Sequence, residues 1–137
     1  MEISNFNELV AAARSQPERQ RLLFVFAQPV LPKDATEDEK QRFQEGSGGG
    51  LQPLMSVDKR PEDLTAFESL VAEADAQNPN WKIVFIASLS GQNGGEPATA
   101  DVDQAIELMI KSIHAGGDVD RFVVFDRSGA PLRLDLQ

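Results

Sequence analysis

KIVFIASLSG, residues 82–91, is the stretch whose reading decides the fold. Its first half is apolar at consecutive positions and rich in β-branched and aromatic side chains, which is how a strand covered on both faces reads. The chain then runs GQNGGEPATADVDQ, a glycine-rich turn opening a helix. In open α/β sheets such a junction, at the carboxyl end of a central strand, is where ligands collect.

Two further oily runs flank it. RLLFVFAQ, residues 21–28, is stopped by Pro29, and RFVVFD, residues 121–126, is followed by Arg127-Ser128-Gly129-Ala130, a hairpin turn into LRLDL, where Leu132, Leu134 and Leu136 alternate with charges as an antiparallel edge does. LQPLMSV, residues 51–57, is a weaker strand that Pro53 confines to an edge or to a late start near Leu54.

Helical stripes separate these runs. Asn5-x-x-Glu8 has the form of a capping box ahead of Phe6, Leu9, Val10 and Ala13. Thr36-x-x-Glu39 repeats the form in a polar, acidic segment that ends in the flexible stretch Gly46-Ser47-Gly48-Gly49-Gly50. A third helix is expected from Pro61 through Leu64, Phe67, Leu70, Val71 and Ala74, ending at Asn78-Pro79. A fourth, capped at Asp101, carries Val102, Ala105, Ile106, Met109, Ile110 and Ile113 and closes at Gly116-Gly117.

Strands alternating with helices predict parallel pairing through crossovers. The expected architecture is a single α/β domain over residues 1–137, a three-layer α/β/α sandwich. Its sheet of about four to five strands is mostly parallel, with an antiparallel C-terminal edge hairpin.

Composition narrows the chemistry. The chain has 137 residues, 41% of them hydrophobic, and no cysteine, which removes thiol nucleophiles, redox pairs and thiolate metal sites. A single histidine, His114, at the end of a helix, leaves no material for a histidine metal cage or most catalytic triads. The net charge of −9 repels phosphate backbones and anionic lipid, so neither nucleic acid nor membrane is an expected partner; a protein with a basic surface is. MEISNFNELV has no basic, apolar leader pattern, and no run is long enough to span a bilayer, so a cytoplasmic location is expected.

With parallel strands, all carboxyl ends fall along one rim. The candidate ligand-binding residues there are Asp58, Lys59, Ser88, Ser90, Gly91, Gly94, Gly95, Asp126 and Arg127. The glycine loop is neither a GxxxxGK[ST] nor a full GxGxxG pattern, and no lysine stands ready for a phosphate. Ser90 is not in a G-x-S-x-G elbow. Asp58, Glu96 and Asp126 are the only carboxylates that reading offers for Mg²⁺, a weak signal in a chain rich in acids. No catalytic residue, resident metal or cofactor is assigned.

RLLFVFA, the acidic ATEDEKQRF with its glycines, LMSVDKRPEDL, WKIVFIASLSG and the closing FVVFDRSGAPL together resemble a group of small proteobacterial proteins often labelled ribonucleotide reductase subunit alpha. That label conflicts with the chemistry, because such a subunit works through cysteines and is several times longer. What the resemblance implies is one compact domain, with no catalytic residue carried over.

The functional expectation is a non-catalytic binding or regulatory module acting through protein–protein contacts. The alternative is a small-molecule or Mg²⁺-assisted enzyme or ligand-binding domain working at the carboxyl ends of the strands. LRLDL, residues 132–136, offers an edge through which two subunits could form a homodimer.

Overall fold

The computed structural model describes residues 5–31, 34–44, 50–115 and 122–132, with only the backbone of Phe43. The elements alternate as helix α1 (Phe6–Arg14), strand β1 (Gln20–Val30), α2 (Glu37–Gln44), β2 (Gly50–Lys59), α3 (Phe67–Gln77), β3 (Ile83–Ser90), α4 (Thr99–Ala115) and β4 (Val123–Asp126).

Local chemistry explains most of the boundaries. Glu8 N–H donates to Asn5 Oδ1 at 2.8 Å, so Asn5 caps α1 as its spacing predicts. Thr36 and Glu39 form a complete capping box: Glu39 N–H donates to Thr36 Oγ1 at 3.2 Å, and Thr36 N–H donates to Glu39 Oε1 at 3.0 Å. That exchange holds the Glu39 carboxyl below its ordinary pKa. The third helix starts later than its apolar stripe suggests. Pro61–Asp63 is a single 3-10 turn, Leu64 is extended, and α3 begins at Phe67. Arg14 of α1 explains the break, because its guanidinium donates to the carbonyls of Pro61 (3.1 Å) and Leu64 (3.5 Å), which a continuous helix would have used internally.

The expected mostly parallel sheet is not what forms. The four strands lie in the order β2-β1-β3-β4, and every neighbouring pair is antiparallel. β1 pairs on one side with β2, from Leu22 beside Lys59 to Val30 beside Gly50. On the other it pairs with β3, from Gln20 beside Ser90 to Ala27 beside Ile83. The apolar runs misled because they report burial on two faces rather than strand direction. In β1, Leu22, Phe24 and Phe26 enter one core with Phe6, Leu9 and Val10 of α1 and Phe67 and Leu70 of α3. Leu23, Val25 and Ala27 enter a second core with Val102, Met109 and Ile113 of α4. Helices on both faces therefore make an antiparallel sheet read as continuously apolar, a pattern more usual for parallel ones. β2 and β3 do run in the same direction, but β1 lies between them, so β2, α3 and β3 form a split βαβ unit.

β2 is an edge strand, as Pro53 suggests. Its register slips between Phe26 and Ala27, whose partners are Met55 and Pro53, so the proline sits at a bulge where its missing N–H costs least. At the opposite edge the chain turns back after Asp126: Asp126 N–H donates to Ala130 O (2.9 Å), Leu132 N–H donates to Val124 O (2.8 Å), and Pro131 bridges Phe125. The rest of the expected edge strand, residues 133–136, lies outside the described residues, as do most of the glycine stretch 46–50 and the Gly116-Gly117 cap.

Candidate functional site

Antiparallel pairing divides the predicted rim in two. The carboxyl ends of β2 and β3 meet the amino end of β1, which brings Asp58, Lys59, Ser88, Ser90 and the loop of Gly91, Gly94 and Gly95 to one end of the sheet. Asp126 pairs with Ile83 at the start of β3, so Asp126 and Arg127 belong to the opposite end.

At the first end, side-chain alternation separates the candidates again. Arg21, which heads the apolar run of β1, donates from NH1 to Asp58 Oδ2 at 2.8 Å and from NH2 to Glu96 Oε1 at 3.3 Å. The hydrogen bond that Arg21 donates to Asp58 leads in raising the arginine's pKa further. Arg60 joins at 3.9 Å from Glu96 and is held more closely by Asp63, at 2.9 Å. The Asp63 carboxyl is lowered by that arginine. Lys59 points the other way and pairs with Glu73 of α3 at 2.9 Å.

The two candidate serines share one buried partner, Gln20. Ser88 Oγ donates to Gln20 Oε1, while Gln20 Nε2 donates to Ser90 Oγ (2.8 Å) and to the Glu18 carbonyl (3.2 Å). Gln20 is the only buried polar residue among those described, and this arrangement satisfies both ends of its amide, as burial requires. The serines therefore bind β1 to β3 across the end of the ladder.

The glycine loop folds over itself. Gly91 N–H donates to Arg19 O (2.8 Å) and Gly95 N–H to Gln92 O (2.9 Å), closing a turn whose central residues, Asn93 and Gly94, have φ of 55° and 78°. Both lie in the left-handed region, as a type I′ turn requires. A Cβ on Gly91 would fall 1.9 Å from the Gly95 carbonyl oxygen, so the loop crosses its own first residue with no room for a side chain. These amides are used within the chain. For Mg²⁺ the geometry is unfavourable, since Asp58 and Glu96 converge on Arg21 and Asp126 is at the far end of the sheet. Among the described residues no three acidic or imidazole side chains are grouped to hold a metal.

At the far end, Arg127 NH2 donates to both carboxylate oxygens of Asp75, at 2.8 and 3.0 Å, and NH1 donates to the Trp81 carbonyl at 3.0 Å. Trp81, with no exposed surface, donates Nε1–H to Asp75 Oδ1 at 2.9 Å. Asp126 caps the turn after β4, its Oδ1 accepting from Ser128 N–H (2.8 Å), Ser128 Oγ (2.6 Å) and Ala130 N–H (3.1 Å). Those bonds, with Ser128 first, lower its pKa.

Three features escaped sequence reading. Arg21 and Gln20 at the start of β1, and Asp75 on α3, were not among the candidate residues. The third lies along α4. Between α4 and the sheet runs an open groove of about 330 Å³, lined by Leu23, Ala87, Leu89, Ala105, Met109 and Phe122, with Ser88 at its margin and Leu108 on its outer wall. Leu108 is 52% exposed. The signal was present in the sequence: a leucine beside the stripe that already contains Ala105 and Met109 widens the apolar face beyond what the core needs. Compared with protein-family models, curated proteins and solved structures, the chain finds no match.

Proposed function

We propose that the protein is a non-catalytic binding or regulatory module acting through protein–protein contacts, with the outward face of α4 and the groove beside it as the contact surface. The observation that carries this reading is Leu108. A large apolar side chain 52% exposed on a helix, next to a 330 Å³ apolar groove, leaves hydrocarbon in water that a partner would cover. Asp101, Asp103 and Glu107 are exposed on the same helix. A partner complementary to this face is an amphipathic segment with an apolar ridge and lysine or arginine beside it, in keeping with the net charge of −9. The same charge opposes nucleic acid and anionic lipid.

A synthetic amphipathic helix bearing leucines on one face and lysines along their margin serves as the probe, with binding followed at low and at high salt. Affinity falling with ionic strength and lost in Leu108→Asp is the expected result. Binding indifferent to both salt and Leu108→Asp would remove this surface from consideration.

A further inference from the structure

The two edges of the sheet are finished differently. Along β4 the chain closes its own edge, with Leu132 N–H on Val124 O and Pro131 bridging Phe125. Along β2, ten residues from Gly50 to Lys59, no described strand pairs with the outer side. An edge strand directs the N–H and C=O of every second residue away from its neighbour, ready for another chain. In β2 the first half is spoiled for that purpose, because Pro53 has no N–H and the register slips beside it. The second half, Met55 to Lys59, pairs regularly with β1 and carries no such block.

We infer that Met55–Lys59 is the pairing edge of a symmetric homodimer, in which β2 of a second copy adds antiparallel to β2 and the two four-stranded sheets become one continuous sheet of eight. This does not rest on the α4 surface. The occupant is argued from charge and register. With the twofold axis perpendicular to the sheet, residues opposite one another must point to the same face, so the axis passes through a residue position. Centring on Asp58 would set two carboxylates face to face. Centring on Ser56 would draw the bulge and Pro53 into the ladder. Centring on Val57 avoids both. It places Val57 beside Val57, Ser56 beside Asp58, and Met55 beside Lys59 of the second copy.

That register is also complementary above the sheet. Met55, Val57 and Glu73 line a narrow cleft between β2 and α3, completed by Leu70, Ala74 and Gln77. Lys59, which pairs with its own Glu73 at 2.9 Å, would enter the ladder opposite Met55 of the second copy and so approach that copy's Glu73. The net charge of −9 opposes self-association in general, but this segment is locally balanced, with Asp58 held by Arg21 and Lys59 by Glu73.

The full chain is tested by analytical ultracentrifugation from micromolar to near-millimolar concentration, alongside amide hydrogen exchange. Expected is a reversible dimer, with concentration-dependent protection at alternate amides between residues 55 and 59. Ser56 is exposed and serves as the reporter. Ser56→Asp, which sets a carboxylate opposite Asp58 twice per dimer, should weaken association about tenfold, and Ser56→Lys should preserve or tighten it. Circular dichroism melts of both variants verify that the monomer fold is intact. A monomer at every concentration, or a dimer that responds to neither variant, overturns the inference. So does a persistent monomer whose 55–59 amides become protected only when an extended peptide is added, which would give the edge to another protein.

Discussion

Arg127 lies across the ring of Trp81, its guanidinium carbon 4.5 Å from the ring centroid, while both side chains bond the same carboxylate, Asp75. Three elements meet at that point: the end of β4, the entrance to β3 and the last turns of α3. Trp81 in turn sets its edge against Phe26 of β1, with centroids 5.0 Å apart, so the cluster reaches the first core directly. Arg127, named among the ligand-binding candidates for its position after a strand, fastens the fold at that end of the sheet.

Removing that fastening should show in stability. Arg127→Ala loses an ion pair in which one guanidinium nitrogen meets both Asp75 oxygens, a cation–π contact and a bond to the Trp81 carbonyl, and is expected to cost about 1–2 kcal/mol in urea denaturation at neutral pH. Arg127→Lys keeps the charge but not the second nitrogen that bonds the Trp81 carbonyl or the planar group over the ring, and should fall between. The Asp75 carboxyl is lowered chiefly by Arg127. A folded-state pKa below the unfolded one contributes stability that is present above the ordinary carboxylate range and lost as pH falls through the folded value. The difference between wild type and Arg127→Ala should therefore shrink on acidification; a constant difference would mean that packing, and not the ion pair, carries the effect.

Gly91 and Gly94 separate two uses of glycine in one loop. Gly91→Ala sets a methyl 1.9 Å from the Gly95 carbonyl oxygen and must push the loop open, a cost of roughly 2–3 kcal/mol. At Gly94 nothing lies within 4 Å, so Gly94→Ala is strained only by its φ of 78° and should cost about 1 kcal/mol. Equal losses in paired denaturation curves would contradict this account of the loop.

The contrast between these residues and the earlier expectation shows which information is local. The Leu22–Ala27 run, the Asn5 cap and the Thr36/Glu39 box each depend on neighbours within a few positions, and each element formed over its pattern, although β1 runs on through Pro29, its expected stop, to Val30. Strand direction depends on how connections fold back, and Phe24, Phe85 and Val124 would look equally oily in either orientation once helices cover both faces. An error in direction moves whole strand ends, which is why Asp58 and Asp126 were expected together and stand at opposite ends. The start of α3 was hidden for a related reason: Arg14, some fifty residues earlier, holds the Pro61 and Leu64 carbonyls.

Asp126 offers a test in which shape is kept and charge removed. Asp126→Asn retains Oδ1 as acceptor for Ser128 and Ala130 but loses the ionised carboxylate that those donors favour. Because the folded pKa is depressed, the wild-type advantage belongs to the pH range above ordinary carboxylate titration and disappears as pH drops through the folded value. At neutral pH it should be about 0.5 kcal/mol, given its solvent screening. Thermal melts from pH 7 to pH 3 should show the two curves converging; parallel curves would assign the turn's stability to geometry alone.

Leu108 and Met109 are consecutive on α4 yet face different surroundings, and their substitution should separate binding from folding. Met109 is 3% exposed within the second core, so Met109→Ala leaves a cavity and should cost about 2–4 kcal/mol. Leu108 is 52% exposed, so Leu108→Ala should change unfolding by no more than about 0.5 kcal/mol. Binding should invert the order. Leu108, 52% exposed, has apolar surface available to the amphipathic probe, and its loss removes that burial, weakening affinity by about tenfold or more. Met109→Ala, measured well below its melting temperature, should weaken binding less than Leu108→Ala does, because Met109 forms the groove floor and only 3% of its surface is open to a partner. Titration calorimetry on both variants, paired with urea curves on the same samples, reads the two quantities together. A Leu108→Ala protein that unfolds easily and binds normally would show that the leucine belongs to the core after all and that the partner surface lies elsewhere.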